Sequence, residues 1–304
     1  MTLKTCTKVN VGLNVLRKRP DGYHDLETLF VPYWGLGDEL TVEPAEELTI
    51  EILREGRVDW DPMDDLTVRA WRLLKADFPA LPAVSIRLVK GAPVGAGLGG
   101  GSADAAFMLR ALNEIGGLGL SDAVLASYAA KLGSDCAFFV YCRPMFATGR
   151  GEILEPFDID LSAYDLKVEI PLDATTGRPV AVSTREAYGG IVPRDVSSSR
   201  VASAGIEEAA TSILAASPLR LSNAAPSFPS SAETRYEATI PLREALKLPV
   251  DQWRGVVVND FEATVCPLHP EISDLIEDFY RRGAVYAAMS GSGSSVFGIW
   301  PKNI

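Results

Sequence analysis

Alternating apolar and polar positions at the start of the chain predict β-strands before any helix. Residues 4–16 alternate as a strand does, a turn follows at 20–22, and a second strand is expected over 23–30. Residues 36–53 predict two more strands, divided near Glu43-Pro44. Asp65 then begins a helical pattern that continues to about residue 77, and β-branched alternation predicts a further strand over 84–89.

Helical spacing dominates the middle of the chain. The Ala-, Leu- and Met-rich run 102–112 predicts a helix with Ser102 as its N-cap, and a second helical pattern covers 121–131. The second half begins with a strand pattern at 166–170. Near the C-terminus, residues 273–282 have the spacing of an amphipathic helix that ends at the following glycine.

Composition narrows the class of protein. The 304 residues suit two domains that share a cleft, and 47% apolar with 23% charged residues is typical of a soluble globular protein. The net charge of −11 disfavours a nucleic-acid or anionic-membrane surface. The four cysteines form no Cys-x-x-Cys pair, and no apolar run is long enough to span a bilayer. A cytoplasmic protein with reduced cysteines and without structural zinc is expected.

Five glycines occupy the seven positions 95–101. Such a stretch lets the backbone turn sharply and bring N–H groups close to a ligand. A predicted strand precedes it and an apolar helix follows, so the helix N-terminus, with unpaired N–H groups and a positive dipole end, forms an anion site. The alternative is a glycine-rich surface linker. Because linkers seldom pass straight into an apolar helix, phosphate binding is the favoured interpretation.

The context of this loop indicates which kind of phosphate site it is. Gly-x-Gly-x-x-Gly at 95–100 matches the dinucleotide fingerprint, but another helix follows instead of a strand that ends in an acidic residue. No lysine follows the last glycine, so the loop is not a P-loop. The run 93–106, Pro-x-Gly-x-Gly-Leu-Gly-Gly-Gly-Ser-x-x-Ala-Ala, resembles motif 2 of the GHMP kinases, which are small-molecule kinases that use ATP.

Further segments resemble the same family. Lys-Val-Asn-Val-Gly-Leu at 8–13, Arg-Pro-Asp-Gly-Tyr-His at 19–24 and Glu-Thr-Leu-Phe at 27–30 resemble the N-terminal signature of one branch, whose alcohol substrate is a cytidylyl methylerythritol. Gly-Ser-Asp at 133–135, followed by an apolar run, is similar to the segment that carries the family's catalytic aspartate. The run 287–298 resembles motif 3.

The resemblance implies a two-domain α/β (α+β) GHMP kinase fold. Residues 1–156 are expected to form an ATP-binding domain like ribosomal protein S5 domain 2, closed by the Gly-Arg-Gly-Glu turn at 149–152. Residues 157–304 are expected to form a ferredoxin-like domain. Members of the family connect the elements on either side of segment 195–239 almost directly. In this chain the segment is rich in Ser, Ala and Pro, and only 206–216 has a helical pattern. That segment is interpreted as a surface insertion of about forty residues, or as an artefact of gene modelling.

For activity, the resemblance implies transfer of the γ-phosphoryl group of ATP, with Mg²⁺, to the 2-hydroxyl of the cytidylyl substrate in isoprenoid synthesis. Asp135 is the expected general base, and Lys8 holds it ionised and helps to position the hydroxyl. Asp65 occupies a position where the family usually has Asn near the adenine, and it lacks the amide donor. The expected ATP contacts are Lys90, Pro93, Val94, Gly95, Ala96, Gly97, Leu98, Gly99, Gly100, Gly101, Ser102 and Ala103.

The resemblance also assigns residues to the other substrate. Tyr23 and Tyr188 are expected to sandwich the cytosine ring, with His24 on its polar edge. Asn10 is expected at the methylerythritol end, and Thr184 occupies the family's threonine position. The expected motif 3 contacts are Ser290, Gly291, Ser292 and Gly293. No residue is assigned as a metal ligand, and His269 is interpreted as structural.

Two alternatives remain at this stage. One is a GHMP kinase for another small alcohol, which the Tyr23-His24 pair disfavours because other alcohols have no pyrimidine to hold. The other is a non-catalytic relative that binds nucleotide, which the presence of Lys8 and Asp135 disfavours. In either case the expected partners are small molecules rather than nucleic acid or membrane, and the expected state is a monomer or weak homodimer.

Overall fold

The computed structural model describes residues 1–55, 60–194 and 240–302. The predicted insertion at 195–239, with its helical pattern at 206–216, lies outside the described residues. None of the described helices is long and apolar enough to cross a membrane.

Two four-stranded sheets form the first half of the chain. The order in one sheet is β1 (Thr2–Lys4), β4 (Glu39–Ala45), β6 (Ala83–Val89) and β5 (Thr49–Leu53), with β5 parallel to β6 and the other pairs antiparallel. The order in the other, antiparallel sheet is β2 (Thr7–Lys18), β3 (His24–Tyr33), β7 (Met145–Thr148) and β8 (Ile153–Pro156).

Helices pack on the sheet that contains β4 and β6. They are α1 (Leu66–Asp77), α2 (Gly100–Ile115), α3 (Asp122–Ala129) and α4 (Cys136–Tyr141). Buried side chains such as Leu40, Ile86 and Leu109 join sheet and helices in one core. Helix α1 begins where the pattern predicts it, because the Asp65 carboxylate accepts a hydrogen bond from the Thr67 N–H at 2.9 Å and caps the helix.

The second half contains a three-stranded antiparallel sheet. Its order is β10 (Tyr286–Met289), β11 (Val296–Pro301) and β9 (Tyr164–Glu169). The described helices of this half are α5 (Thr184–Gly189), α6 (Leu242–Ala245), α7 (Glu262–Val265) and α8 (Pro270–Arg281). Helix α8 buries Ile272, Ile276 and Phe279 on the face predicted from its amphipathic spacing.

Strand β2 joins the two halves. Val9 and Val11 share a core with Tyr286 and Phe297 of the C-terminal sheet. The Leu13 N–H donates to the Val258 carbonyl at 2.9 Å, and the Leu13 carbonyl accepts from the Asp260 N–H at 2.8 Å. The strand that carries Lys8 therefore contacts both halves, and 1–156 and 157–304 remain our proposed division into domains.

Two local predictions were wrong. Helix α2 begins at Gly100 and not at Ser102, and its N-cap Gly99 has a φ of 74°, a conformation that favours glycine over a serine cap. Strand β4 continues through Pro44 instead of breaking there. Pro44 pairs with Val84 of β6 on one side, and β1 has already ended on the other, so the missing N–H leaves no ladder bond unmade.

Candidate active site

The glycine loop between β6 and α2 lines an open cleft of about 460 Å³. Gly95, Gly97 and Gly99 have φ values of 80°, 78° and 74°, which a side chain would strain. Trp60 and Asp65, which precede α1, and residues in its first turn also line this cleft. Of the residues predicted to contact ATP, Lys90 and 93–102 line this cleft, whereas Ala103 is buried in the core inside α2.

Lys90 lies at the base of the cleft and is tied to the protein. Its ammonium donates to the Asp104 carboxylate at 2.7 Å and to that of Asp38. Burial alone would lower the pKa of Lys90, but the two carboxylates together raise it. The structure therefore directs at least two of the three N–H donors of Lys90 toward protein partners rather than into the cleft.

Motif 3 packs directly against the glycine loop. The Ser295 hydroxyl donates to the Ala96 carbonyl at 2.7 Å. A Cβ added to Gly293 would lie 2.5 Å from the backbone of Ala96, and one added to Gly97 would lie 2.9 Å from the Ser290 carbonyl oxygen. The small residues of the two loops thus allow the loops to contact each other, in addition to leaving space for a ligand.

Lys8 and Asp135 form an ion pair beside these loops, with 3.6 Å between Nζ and Oδ2. Lys8 is buried, while the Asp135 side chain is 32% exposed. Burial lowers the pKa of Lys8, and the nearby Asp135 opposes that shift. The Lys8 N–H donates to the Leu98 carbonyl at 2.9 Å, so the start of β2 is fixed to the glycine loop.

Asn10 orients Lys8 from the same face of β2. Its Oδ1 accepts from the Lys8 ammonium, and its Nδ2 donates to the Thr28 hydroxyl at 3.1 Å. Its backbone N–H donates to the Ser290 hydroxyl of motif 3, also at 3.1 Å. The sequence predicts Asn10 at the methylerythritol end of the substrate, and in the structure both ends of its amide are engaged within the protein.

Asp135 is positioned by the turn before α4. Burial raises the pKa of the Cys136 thiol, next to Asp135, to about 11, and the nearby Ser102 side chain opposes that shift, so the first turn of α2 lies close to this point. On another side, a Cβ added to Gly151 would lie 3.9 Å from Asp135 Oδ1. Asp135 thus stands between the glycine loop and the Gly-Arg-Gly-Glu turn.

Of the residues predicted to bind cytidine, Tyr188 lies near Asp135, and the rings are arranged differently from the prediction. His24 stacks on Tyr188 with ring centroids 4.8 Å apart. Burial raises the pKa of Tyr188, and the negative charge of Asp135 adds to that rise. Tyr23 is 57% exposed, 5.0 Å from the Arg150 guanidinium. Because His24 is the first residue of β3 and Tyr23 precedes the strand, the ring facing Tyr188 is His24. Thr184 is exposed, one helical turn before Tyr188.

Asn259 and Glu262 hold motif 3, and no role for either follows from sequence spacing alone. Asn259 Nδ2 donates to the carbonyls of Met289 and Gly291, each at 2.8 Å. The Glu262 carboxylate accepts from the Met289 N–H at 2.8 Å, and burial raises the pKa of Glu262 to about 7. His269 Nε2 lies 2.9 Å from Glu186 Oε1, a contact between α5 and the start of α8.

Comparison with known proteins agrees with this fold and site. The profile of the GHMP kinase N-terminal domain matches residues 65–143, and that of the GHMP kinase C-terminal domain matches residues 251–303. The chain belongs to the GHMP kinase family, and its two-domain α/β fold is the one that the family resemblance implies.

The curated relatives define the branch. A 4-diphosphocytidyl-2-C-methyl-D-erythritol kinase of Bacteroides thetaiotaomicron is 39% identical over 296 residues, which covers 96% of this chain and 89% of the relative. The kinase of the same name from Parabacteroides distasonis is 40% identical, with 97% and 90% covered.

Solved structures agree with the fold. A crystal structure of 4-(cytidine 5'-diphospho)-2C-methyl-D-erythritol kinase is 28% identical and superposes with a TM-score of 0.68 over 98% of this chain and 89% of that chain. The homoserine kinase of Cytophaga hutchinsonii, at 15% identity and a TM-score of 0.58 over 99% and 86%, shares the fold.

Proposed function

We propose that this protein uses ATP to phosphorylate the 2-hydroxyl of 4-diphosphocytidyl-2-C-methyl-D-erythritol. The products are the 2-phosphate and ADP, and the reaction belongs to the non-mevalonate route to isoprenoids. The observation that carries the proposal is the partly exposed carboxylate of Asp135, paired with Lys8 between the glycine loop and the His24–Tyr188 stack. The names of the relatives supply the identity of the alcohol.

In this mechanism Asp135 accepts the proton of the 2-hydroxyl as the oxygen attacks the γ-phosphorus, because an alcohol is a weak nucleophile near neutral pH. Lys8 supplies a positive charge beside the substrate oxygen while the hydroxyl loses its proton to Asp135. Backbone N–H groups of the glycine loop and the dipole of α2 stabilise the charge on the transferring group. Asn10 keeps the Lys8 ammonium in place through its side-chain oxygen.

Mg²⁺ is the expected companion of ATP in this family. The described residues include no cluster of three or more His, Cys, Asp or Glu side chains that could hold a metal ion. Kinases bind Mg²⁺ mainly through substrate phosphates and waters, with one or two protein oxygens. Ser102 at the first turn of α2 offers such an oxygen. When bound, Mg²⁺ neutralises charge on the β- and γ-phosphates.

Turnover with a panel of alcohols tests the proposed function. ADP release measured with 4-diphosphocytidyl-2-C-methyl-D-erythritol, homoserine and mevalonate is expected to occur with the cytidylyl substrate only. Turnover with another alcohol alone would establish the first alternative. Binding of ATP with no turnover of any alcohol would identify a non-catalytic nucleotide-binding protein.

The substitution His24→Ala tests the cytidine assignment. We expect the KM for the cytidylyl substrate to rise about tenfold, which corresponds to about 1.4 kcal/mol and to the loss of one buried hydrogen bond. The KM for ATP should change by less than about threefold, because the described ATP cleft does not include this strand end. Initial rates with each substrate varied in turn give both constants. An equal rise in both would mean that the His24–Tyr188 stack only supports the fold.

The pH profile tests the ionisation of Lys8. Because burial lowers its pKa, we expect kcat to fall on the alkaline side below the usual lysine value of 10.5. Above the lowered pKa of Lys8 the amine is neutral and no longer offsets negative charge at the reacting oxygen. Lys8→Met should retain a low activity without this alkaline limb, and Lys4→Met, at an exposed position, should keep the wild-type profile. An unchanged limb in Lys8→Met would assign the titration to another group.

We also propose a cytoplasmic location, from the acidic composition and free cysteines, and a monomer or weak homodimer. Cell fractionation tests the proposed location, and sedimentation velocity tests the proposed oligomeric state.

A further inference from the structure

Three charged side chains lie together beneath the glycine loop. Asp38, Lys90 and Asp104 come from three separate segments, and their side chains are 0%, 6% and 2% exposed. The Lys90 ammonium lies between the two carboxylates and donates to both. We call these three residues the loop-base cluster.

The loop-base cluster connects the two ends of the glycine loop. At the entrance, Asp38 Oδ1 accepts hydrogen bonds from the N–H groups of Gly91 and Ala92, both at 2.7 Å. At the exit, Asp104 lies in the second turn of α2, 2.7 Å from the Lys90 ammonium. Lys90 therefore links the backbone before the loop to the helix after it.

The cluster also contacts the loop from below. A Cβ added to Gly100 would lie 3.6 Å from Asp38 Oδ2 and 3.9 Å from Lys90 Nζ, so the cluster lies close to the first residue of α2. This residue lines the cleft, and its N–H belongs to the unpaired N–H groups at the helix N-terminus. Movement of the cluster would therefore be transmitted to the groups that face a bound phosphate.

Apolar packing of similar volume is usually at least as stable as a buried ion pair. Stability alone therefore does not explain these buried charges. Two carboxylates share one ammonium, and burial raises the pKa of Asp104 to about 8 even though the adjacent Lys90 ammonium opposes that shift. Thr5 also fixes Asp38, because its hydroxyl accepts a hydrogen bond from the Asp38 N–H at 2.9 Å. Every member is hydrogen-bonded, which makes the cluster a rigid support.

We propose that Asp38 and Asp104 are positioning residues for the nucleotide, and that they act by fixing both ends of the glycine loop through Lys90. Neither carboxylate lines the described cleft, so neither touches the nucleotide there. Their effect is to hold the loop N–H groups in the orientation that binds phosphate before the nucleotide arrives. Donors that are already oriented do not have to reorganise when charge develops on the transferring group. The inference rests on the proposed function only in taking ATP as the ligand.

The test measures nucleotide binding without turnover. Wild type, Asp104→Ala, Asp104→Asn and Asp38→Asn are titrated by calorimetry with a non-hydrolysable ATP analogue in Mg²⁺, and thermal unfolding is recorded for each. Asp104→Ala should fold, because it leaves Lys90 paired with Asp38 and places a strong helix former in α2. Asp104→Asn retains an oxygen that can accept from Lys90. Asp122→Ala, at an exposed position of α3, is the matched control.

We expect Asp104→Ala to bind the analogue about tenfold more weakly, Asp104→Asn to recover to within about threefold of wild type, and Asp122→Ala to match wild type. Asp38→Asn should weaken binding at least as much as Asp104→Ala, because its amide would point a donor at the Lys90 ammonium. The KM for the cytidylyl substrate should stay within about threefold throughout. Binding by folded Asp104→Ala within twofold of wild type, or an equal loss for both substrates, would overturn the inference. Wild-type binding without turnover of the cytidylyl substrate would instead overturn the proposed function.

Discussion

Replacing Asp135 with asparagine is expected to lower kcat by about 10²–10⁴-fold, the usual contribution of a positioned general base. The amide keeps the shape of the side chain but cannot accept the proton of the attacking hydroxyl. The KM for ATP should stay within about threefold, because Asp135 is not among the residues that line the glycine-loop cleft. Both constants follow from initial rates of ADP release, with the active-site concentration taken from titration with the ATP analogue.

The matched control for this prediction is Asp122→Asn, which removes a carboxylate from an exposed ion pair with Arg110. It should keep wild-type kcat, since such pairs contribute little. If Asp135→Asn retained more than a tenth of wild-type turnover, Asp135 could not be the base. In that case Lys8, its partner at 3.6 Å, would be the next residue to test.

Local patterns were sufficient for most of the fold. The alternation that predicts β2 and β3, the Asp65 cap of α1 and the spacing of α8 all lie within one element, and the structure agrees with each. The glycine loop was also predictable, because its strand, turn and helix are contiguous. The start of α2 was not, since capping by Gly99 depends on a backbone φ that composition does not specify.

Contacts between distant segments could not be predicted in this way. Asp38 is 52 residues from Lys90, and nothing in the spacing indicates that they meet. Cys6 and Cys142 are 136 residues apart, yet their sulfur atoms lie 3.7 Å from each other, although the sequence contains no paired-cysteine motif. The His24–Tyr188 stack likewise depends on how α5 packs beside β3, so a local pattern cannot choose between His24 and Tyr23 as the ring that faces Tyr188.

The two glycine-containing loops are close enough that one added methyl group should disrupt the site. In Gly293→Ala the new Cβ would lie 2.5 Å from the carbonyl carbon and oxygen of Ala96 and from the Gly97 nitrogen, well inside contact distance. These are backbone atoms, so no rotamer change relieves the overlap, and motif 3 and the glycine loop must separate.

We therefore expect Gly293→Ala to lower kcat/KM for ATP by about a hundredfold, since a displacement of about 1 Å in a positioned group can cost that much. The displacement reaches Lys8 as well, because the Ser290 hydroxyl accepts from the Asn10 N–H and Asn10 in turn holds the Lys8 ammonium. Gly189→Ala is the control: it lies at the end of α5, and its added Cβ would have nothing within 4 Å. Circular dichroism should show both variants folded. Turnover by Gly293→Ala within about tenfold of wild type would mean that the loops can separate without moving the groups that act on ATP.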